Sequence, residues 1–155
     1  MSLGGGGGGG QLQQLAEEIQ ALEEEKETLE AEIEDLQAEQ GEIDEAIEAI
    51  QTLDTGETVQ VPLGGDAYVR AEIQDIDEII VSLGGGYAAE RDQTDAVTTL
   101  ENKKDTLDDR IEDVRDEISE IEDESDELEE KAQQMQQQQM QQQMAQMQEQ
   151  GGDDE

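Results

Sequence analysis

Two stretches of heptad rhythm, from Gln11 to about Leu53 and again after Arg91, constrain this chain more than any other feature. With Leu12 as position a, the first a series is Leu12, Ile19, Lys26, Ile33, Gln40 and Ile47. The d series is Leu15, Leu22, Leu29, Leu36, Ile43 and Ile50. Every d is Leu or Ile, the seam of a coiled coil. At about 1.5 Å per residue, a helix over this stretch spans roughly 65 Å. In the second stretch, a is Val97, Lys104, Ile111, Ile118, Ser125 and Ala132, and d is Leu100, Leu107, Val114, Ile121, Leu128 and Met135. Laid antiparallel, the two registers mesh. Ile50 meets Val97, Ile47 meets Leu100, Ile33 meets Val114, Leu15 meets Ala132, and Leu12 meets Met135. Lys26 then faces Ile121, Lys104 faces Ile43 and Ser125 faces Leu22, and isolated polar a residues of this kind fix register.

Between the heptads the character changes. Short β-branched runs alternate with glycine pairs and triplets from Gly56 to Arg91, the pattern of strands joined by tight turns. Val59, Val61 and Leu63 alternate with Gln60 and Pro62, so this is an edge or irregular strand. Val69 and Ile73 share one face of a second strand. Ile79, Val81 and Leu83 line a third, and Tyr87 opens a short fourth. Two hairpins are marginal alone and present open edges with an apolar face, which predicts an obligate oligomer. The expected divisions are a flexible polyglycine lead (1–10), a first coiled-coil helix (11–53), a double β-hairpin oligomerisation unit (54–91), a second coiled-coil helix (92–135) and a Gln/Met-rich tip with an acidic tail (136–155). The fold class is therefore α+β, mostly α: a long antiparallel coiled-coil hairpin with two β-hairpins at its bend.

Composition excludes several functions. With 45 Asp+Glu against 8 Lys+Arg, the formal charge is −37. Such a surface repels phosphate backbones and anionic lipid, so neither nucleic acid nor membrane is an expected partner. The regular apolar spacing argues for folding in molar salt rather than for disorder, because a Debye length of about 3 Å at 1 M silences self-repulsion. Cysteine and histidine are absent, which removes disulfides, Cys/His metal sites, thiol nucleophiles and histidine bases. The start of the chain lacks a signal peptide's charged and apolar regions, and a cytoplasmic location is expected.

The motifs that could bear chemistry have plainer roles. Gly84-Gly85-Gly86 has no following Gly-Lys-Ser/Thr and reads as a turn. Asp75 with Asp77 and Asp108 with Asp109 fit no calcium-loop pattern and read as solvated acids. Catalysis has no candidate residue, and no metal or cofactor is expected. Beyond Met135 the seam loses its partner, and Met140, Met144 and Met147 form a stripe at helical spacing. This is either a frayed low-complexity tail or an adaptable apolar contact surface.

The stretches Val59-Gln-Val-Pro-Leu-Gly-Gly, Ala67-Tyr-Val-Arg-Ala-Glu-Ile and Ile80-Val-Ser-Leu-Gly-Gly-Gly-Tyr-Ala-Ala-Glu-Arg, set between two coiled-coil helices, resemble the alpha-type subunit of archaeal prefoldin. The Gly-Tyr-Ala-x-Glu-Arg element is the most specific of these. The resemblance implies a hexamer of two alpha and four beta subunits, built on an oligomeric β-barrel platform. It implies an ATP-independent holdase that grips non-native proteins at coiled-coil tips and passes them to a group II chaperonin. On this basis Val59, Val61, Leu63, Val69, Ile73, Ile79, Val81, Leu83 and Tyr87 are expected in subunit assembly. Leu12, Leu15, Met135, Met140, Met144 and Met147 are expected in client contact. The alternative is a structural coiled-coil scaffold that docks one partner through its hairpins.

Overall fold

The computed structural model describes residues 7–152, with side chains from 9 to 149. The first six residues of the expected polyglycine lead, and 153–155 of the acidic tail, lie outside the described residues. Helix α1 (Gly7–Thr52) is followed by strands β1 (Thr58–Gly64), β2 (Ala67–Glu72), β3 (Ile79–Gly84) and β4 (Tyr87–Arg91), then by helix α2 (Gln93–Gly152). The expected order of helix, two hairpins and helix is present. The chain divides into two compact units, residues 34–112 and the described residues up to 33 with those from 113 onward.

In residues 34–112, every a and d position of both helices is buried or half-buried. The core holds Ile43 of α1, Ala96 and Leu100 of α2, and Val81 of β3. Ala46, Ile47, Ile50, Ile79 and Leu107 pack against it. Ala46 and Ala96 sit at g positions, outside the seam that the heptads predict. They are inside because β3 lies on the helices there, and a methyl side chain leaves room for Val81. Burying a valine contributes about 1.5–3 kcal/mol, so this contact fastens the second hairpin to the helix pair.

Polar groups at the same junction are matched to backbone ends. The Asp92 carboxylate accepts from the Asp95 N–H at 2.7 Å and caps the start of α2. The Gln93 side-chain amide donates to the carbonyls of Ile50 and Leu53, where the last carbonyls of α1 have no helical donor. Lys104 donates to Asp44 at 2.8 Å, and the Gln40 amide donates to the Lys104 carbonyl at 3.2 Å. The polar a residues thus bind across the helix pair and oppose a register slip. The hydrogen bond to Asp44 also raises the Lys104 ammonium above its ordinary pKa and keeps it charged.

Both hairpins have one design. β1 pairs antiparallel with β2, and β3 with β4, each as a separate two-stranded sheet. The turn residues Gly65 and Asp66 have φ of 58° and 61°, and Gly85 and Gly86 have 63° and 81°. Two central residues at positive φ are the requirement of a type I′ turn. In each hairpin the register shifts one residue before the turn, between Pro62 and Gly64 and between Ser82 and Gly84. Leu63 and Leu83 are the residues skipped, and the bulge turns both to the surface.

In the other unit, the seam residues of α1 from Leu12 to Ile33 and of α2 from Val114 to Met135 are likewise buried or half-buried, with Val114 fully so. Lys26 reaches Glu122 on α2 at 3.1 Å. That hydrogen bond raises its pKa. Leu22, Lys26, Ile121 and Ser125 line one hollow of 150 Å³, so the predicted facing pairs are together, and two polar a residues leave their layers underfilled.

Two expectations are corrected. Gly7–Gly10 is the first turn of α1 rather than part of a flexible lead. Extending an existing helix needs no new nucleus, although each glycine costs about 1 kcal/mol. The second helix does not stop at 135: the Gln/Met-rich stretch, whose methionines fall at the helical spacing noted above, continues α2 to Gly152. Gln and Met are good helix formers, and no proline or helix-stopping turn intervenes before that point.

Gly41, inside α1, has open space where a Cβ would stand. Gly41→Ala is therefore expected to stabilise the chain by about 1 kcal/mol. Urea unfolding followed by circular dichroism checks this, and an unchanged midpoint would contradict it.

Candidate functional site

Two exposed apolar surfaces stand out, one on the hairpins and one on α2. On the first hairpin, Val59 pairs with Ala71 and Val61 with Val69, so all four share a face. Val59 and Ile73 are half-buried, while Val61, Val69 and Leu63 are exposed. On the second hairpin, Val81 pairs with Ala89 and Ile79 with Arg91. These positions correspond by twenty residues to those of the first hairpin, yet their fates differ: Val61 is 41% exposed and Val81 is 5%.

This corrects part of the assembly expectation. Val81 and Ile79 belong to the chain's own core, because the helices already cover that face. Val61, Leu63, Val69, Leu83 and Tyr87 remain open. Sequence reasoning missed Ile80, which is 75% exposed on the reverse face of β3, and Tyr68, exposed on the reverse face of β2. The signal for Ile80 was present. Ile79-Ile80-Val81 breaks the alternation of a one-sided strand and reads as apolar on both faces. Each strand has one paired edge and one open edge, so backbone donors and acceptors are available for strand addition.

The second surface lies on α2. Met140, Met144 and Met147 fall at i, i+4 and i+7, which places them on one helix face. They are 63%, 65% and 76% exposed, and with Gln143 and Gln146 they line an open hollow of 560 Å³. Thioethers on unbranched stems adapt to apolar partners of varied shape, and amides between them can bond to exposed backbone. The remaining residues expected in client contact lie deeper. Leu15 is buried in the helix pairing, and Leu12 and Met135 are half-buried. Leu15, Leu128 and Met135 line a groove of 510 Å³ with Gln11, Gln14 and other polar residues. Leu15, 8% exposed, is thus a core residue at the floor of this groove rather than an open contact.

Among the described residues, no helix is long and apolar enough to cross a membrane. No cluster of three or more acidic side chains has a geometry that could hold a metal ion, again among the described residues.

Residues 22–138 match the Prefoldin family, described as prefoldin subunit. The chain belongs to the prefoldin family. It is of the alpha type: a protein from Haloarcula marismortui named prefoldin subunit alpha is 72% identical over 96 residues, covering 62% of each chain. A prefoldin subunit alpha from Halobacterium salinarum is 70% identical over 106 residues, covering 68% of each. The matched stretch spans 62% of the length of the Haloarcula protein and 66% of a third, from Halorubrum lacusprofundi. The haloarchaeal relatives agree with the acidic composition. Among solved structures, the filamentous PFD of Methanocaldococcus jannaschii superposes with a TM-score of 0.65 at 27% identity, covering 72% of this chain and 95% of that one. That prefoldin neighbour is itself an oligomer, as its description as filamentous states.

Proposed function

We propose that the chain is the alpha-type subunit of an ATP-independent holdase. It assembles with prefoldin beta subunits, two alpha to four beta, through the open hairpin faces and edges. It binds non-native proteins through the Met-bearing face of α2 and delivers them to a group II chaperonin in the cytoplasm. No catalytic step is assigned to it. The observation that carries the client reading is the exposed stripe of Met140, Met144 and Met147, which no part of the chain's described core covers. Several such weak stripes in one assembly gain avidity from high effective concentration. The scaffold alternative is not favoured for a member of this family.

The test mixes the chain with a beta-type prefoldin subunit in high salt and follows light scattering of a denatured, unrelated client protein. Suppressed aggregation is expected for the native chain. In Met140→Gln/Met144→Gln/Met147→Gln, suppression is expected to fall by about tenfold in the amount of chaperone needed. Intact suppression by that variant would remove the Met face from the client surface.

A further inference from the structure

The same three methionines have a chemistry beyond apolar contact, and the inference rests on the client reading just given. Their thioethers are open to solvent on one helix face, whereas Met135, on the same helix, is half-buried against α1. Oxidant access therefore differs sharply between neighbours that share one side-chain chemistry. The chain has no cysteine to react first. We propose that Met140, Met144 and Met147 form a reversible oxidation site, whose conversion to sulfoxide by a peroxide releases client protein.

The step balances simply. A sulfur lone pair attacks one peroxide oxygen, the O–O bond breaks and an S–O bond forms. The sulfur loses two electrons, and the departing hydroxide takes the proton of the new S–OH group to become water, which leaves the neutral sulfoxide. Reversal uses a dithiol reductant of the methionine sulfoxide reductase type, which removes the oxygen as water and is itself oxidised to a disulfide. The product side chain is polar and chiral, which is what a flexible apolar contact face cannot absorb. The helix has no need of these three side chains for its own packing, so oxidation acts on the contact surface and leaves α2 formed.

The experiment exposes the full chain, assembled with a beta-type subunit, to limiting hydrogen peroxide and maps sulfoxides by peptide mass spectrometry. Client holding is read by light scattering of a denatured test protein, and helicity by circular dichroism. Met140, Met144 and Met147 are expected to oxidise before Met135, helicity to persist, and the holding capacity to fall by roughly tenfold. Reductase treatment restores it. Met140→Leu/Met144→Leu/Met147→Leu has no thioether on this face, so its holding capacity, whatever its starting level, is expected to be the same before and after peroxide. Unchanged holding after full oxidation of the three would overturn the proposal, as would equal peroxide sensitivity in the leucine variant. If the untreated chain does not hold client at all, it is the client reading that fails first, and the oxidation proposal falls with it.

Discussion

Val81→Asp unfolds residues 34–112, while Val61→Asp leaves them folded and abolishes assembly. The two valines occupy corresponding places in hairpins of one design, so the contrast isolates what surrounds each. Val81 is enclosed by Ile43, Ala96 and Leu100. An aspartate there loses about 1.5–3 kcal/mol of valine burial and adds several kcal/mol for a carboxylate without a partner. That is a large fraction of the roughly 5–15 kcal/mol that holds an ordinary domain together. Val61 is 41% exposed, and a surface change costs roughly 0.5 kcal/mol or less in the isolated chain. Its cost is expected instead in assembly, where the proposed subunit contact would cover this face. Thermal melts by circular dichroism and native mass spectrometry with a beta-type subunit separate the two outcomes. Equal destabilisation of the isolated chain by both substitutions would show that the hairpins are not differentiated.

Transfer from molar salt to about 0.01 M unfolds the helices, because the Debye length grows from about 3 Å to about 30 Å. Most of the charge of −37 lies along the two helices. Like-charged residues stand four apart in series, as in Asp109, Asp113 and Glu117 or Glu120 and Glu124. Each such pair destabilises a helix by about 0.2–0.5 kcal/mol when unscreened. The cross-helix pairs Lys26–Glu122 and Lys104–Asp44 are partly exposed and cannot offset a deficit spread over so many acids. Helicity is expected to fall steeply with dilution of salt and to return when salt is restored. Full helicity in low-salt buffer would refute this account of the composition.

The heptad seam was legible because burial in a coiled coil repeats. Each a and d residue from Leu12 to Ile50 and from Val97 to Met135 is at least half-buried, polar ones included. The strands and turns were legible because glycine pairs with Asp66 or Gly86 mark positive φ directly. What escaped depends on contacts distant in sequence. Nothing local distinguishes Ala46 or Ala96 from any other helical alanine, since their burial follows from where β3 lands. Gln93 looks like a surface amide until the end of α1, forty residues earlier, comes within reach. For the candidate surfaces, residue type was readable and exposure was not. Leu15 and Val81 have the same apolar character as Leu63 and Val61, and only packing separates core from surface.

The unequal burial of the twin hairpins bears on how such a subunit changes over evolutionary time. Because β3–β4 is committed to holding the helix junction, its inward residues can drift little without loss of the fold. The first hairpin carries no such duty at Val61 and Val69, so a lineage can rewrite its quaternary preferences there while the protomer stays intact.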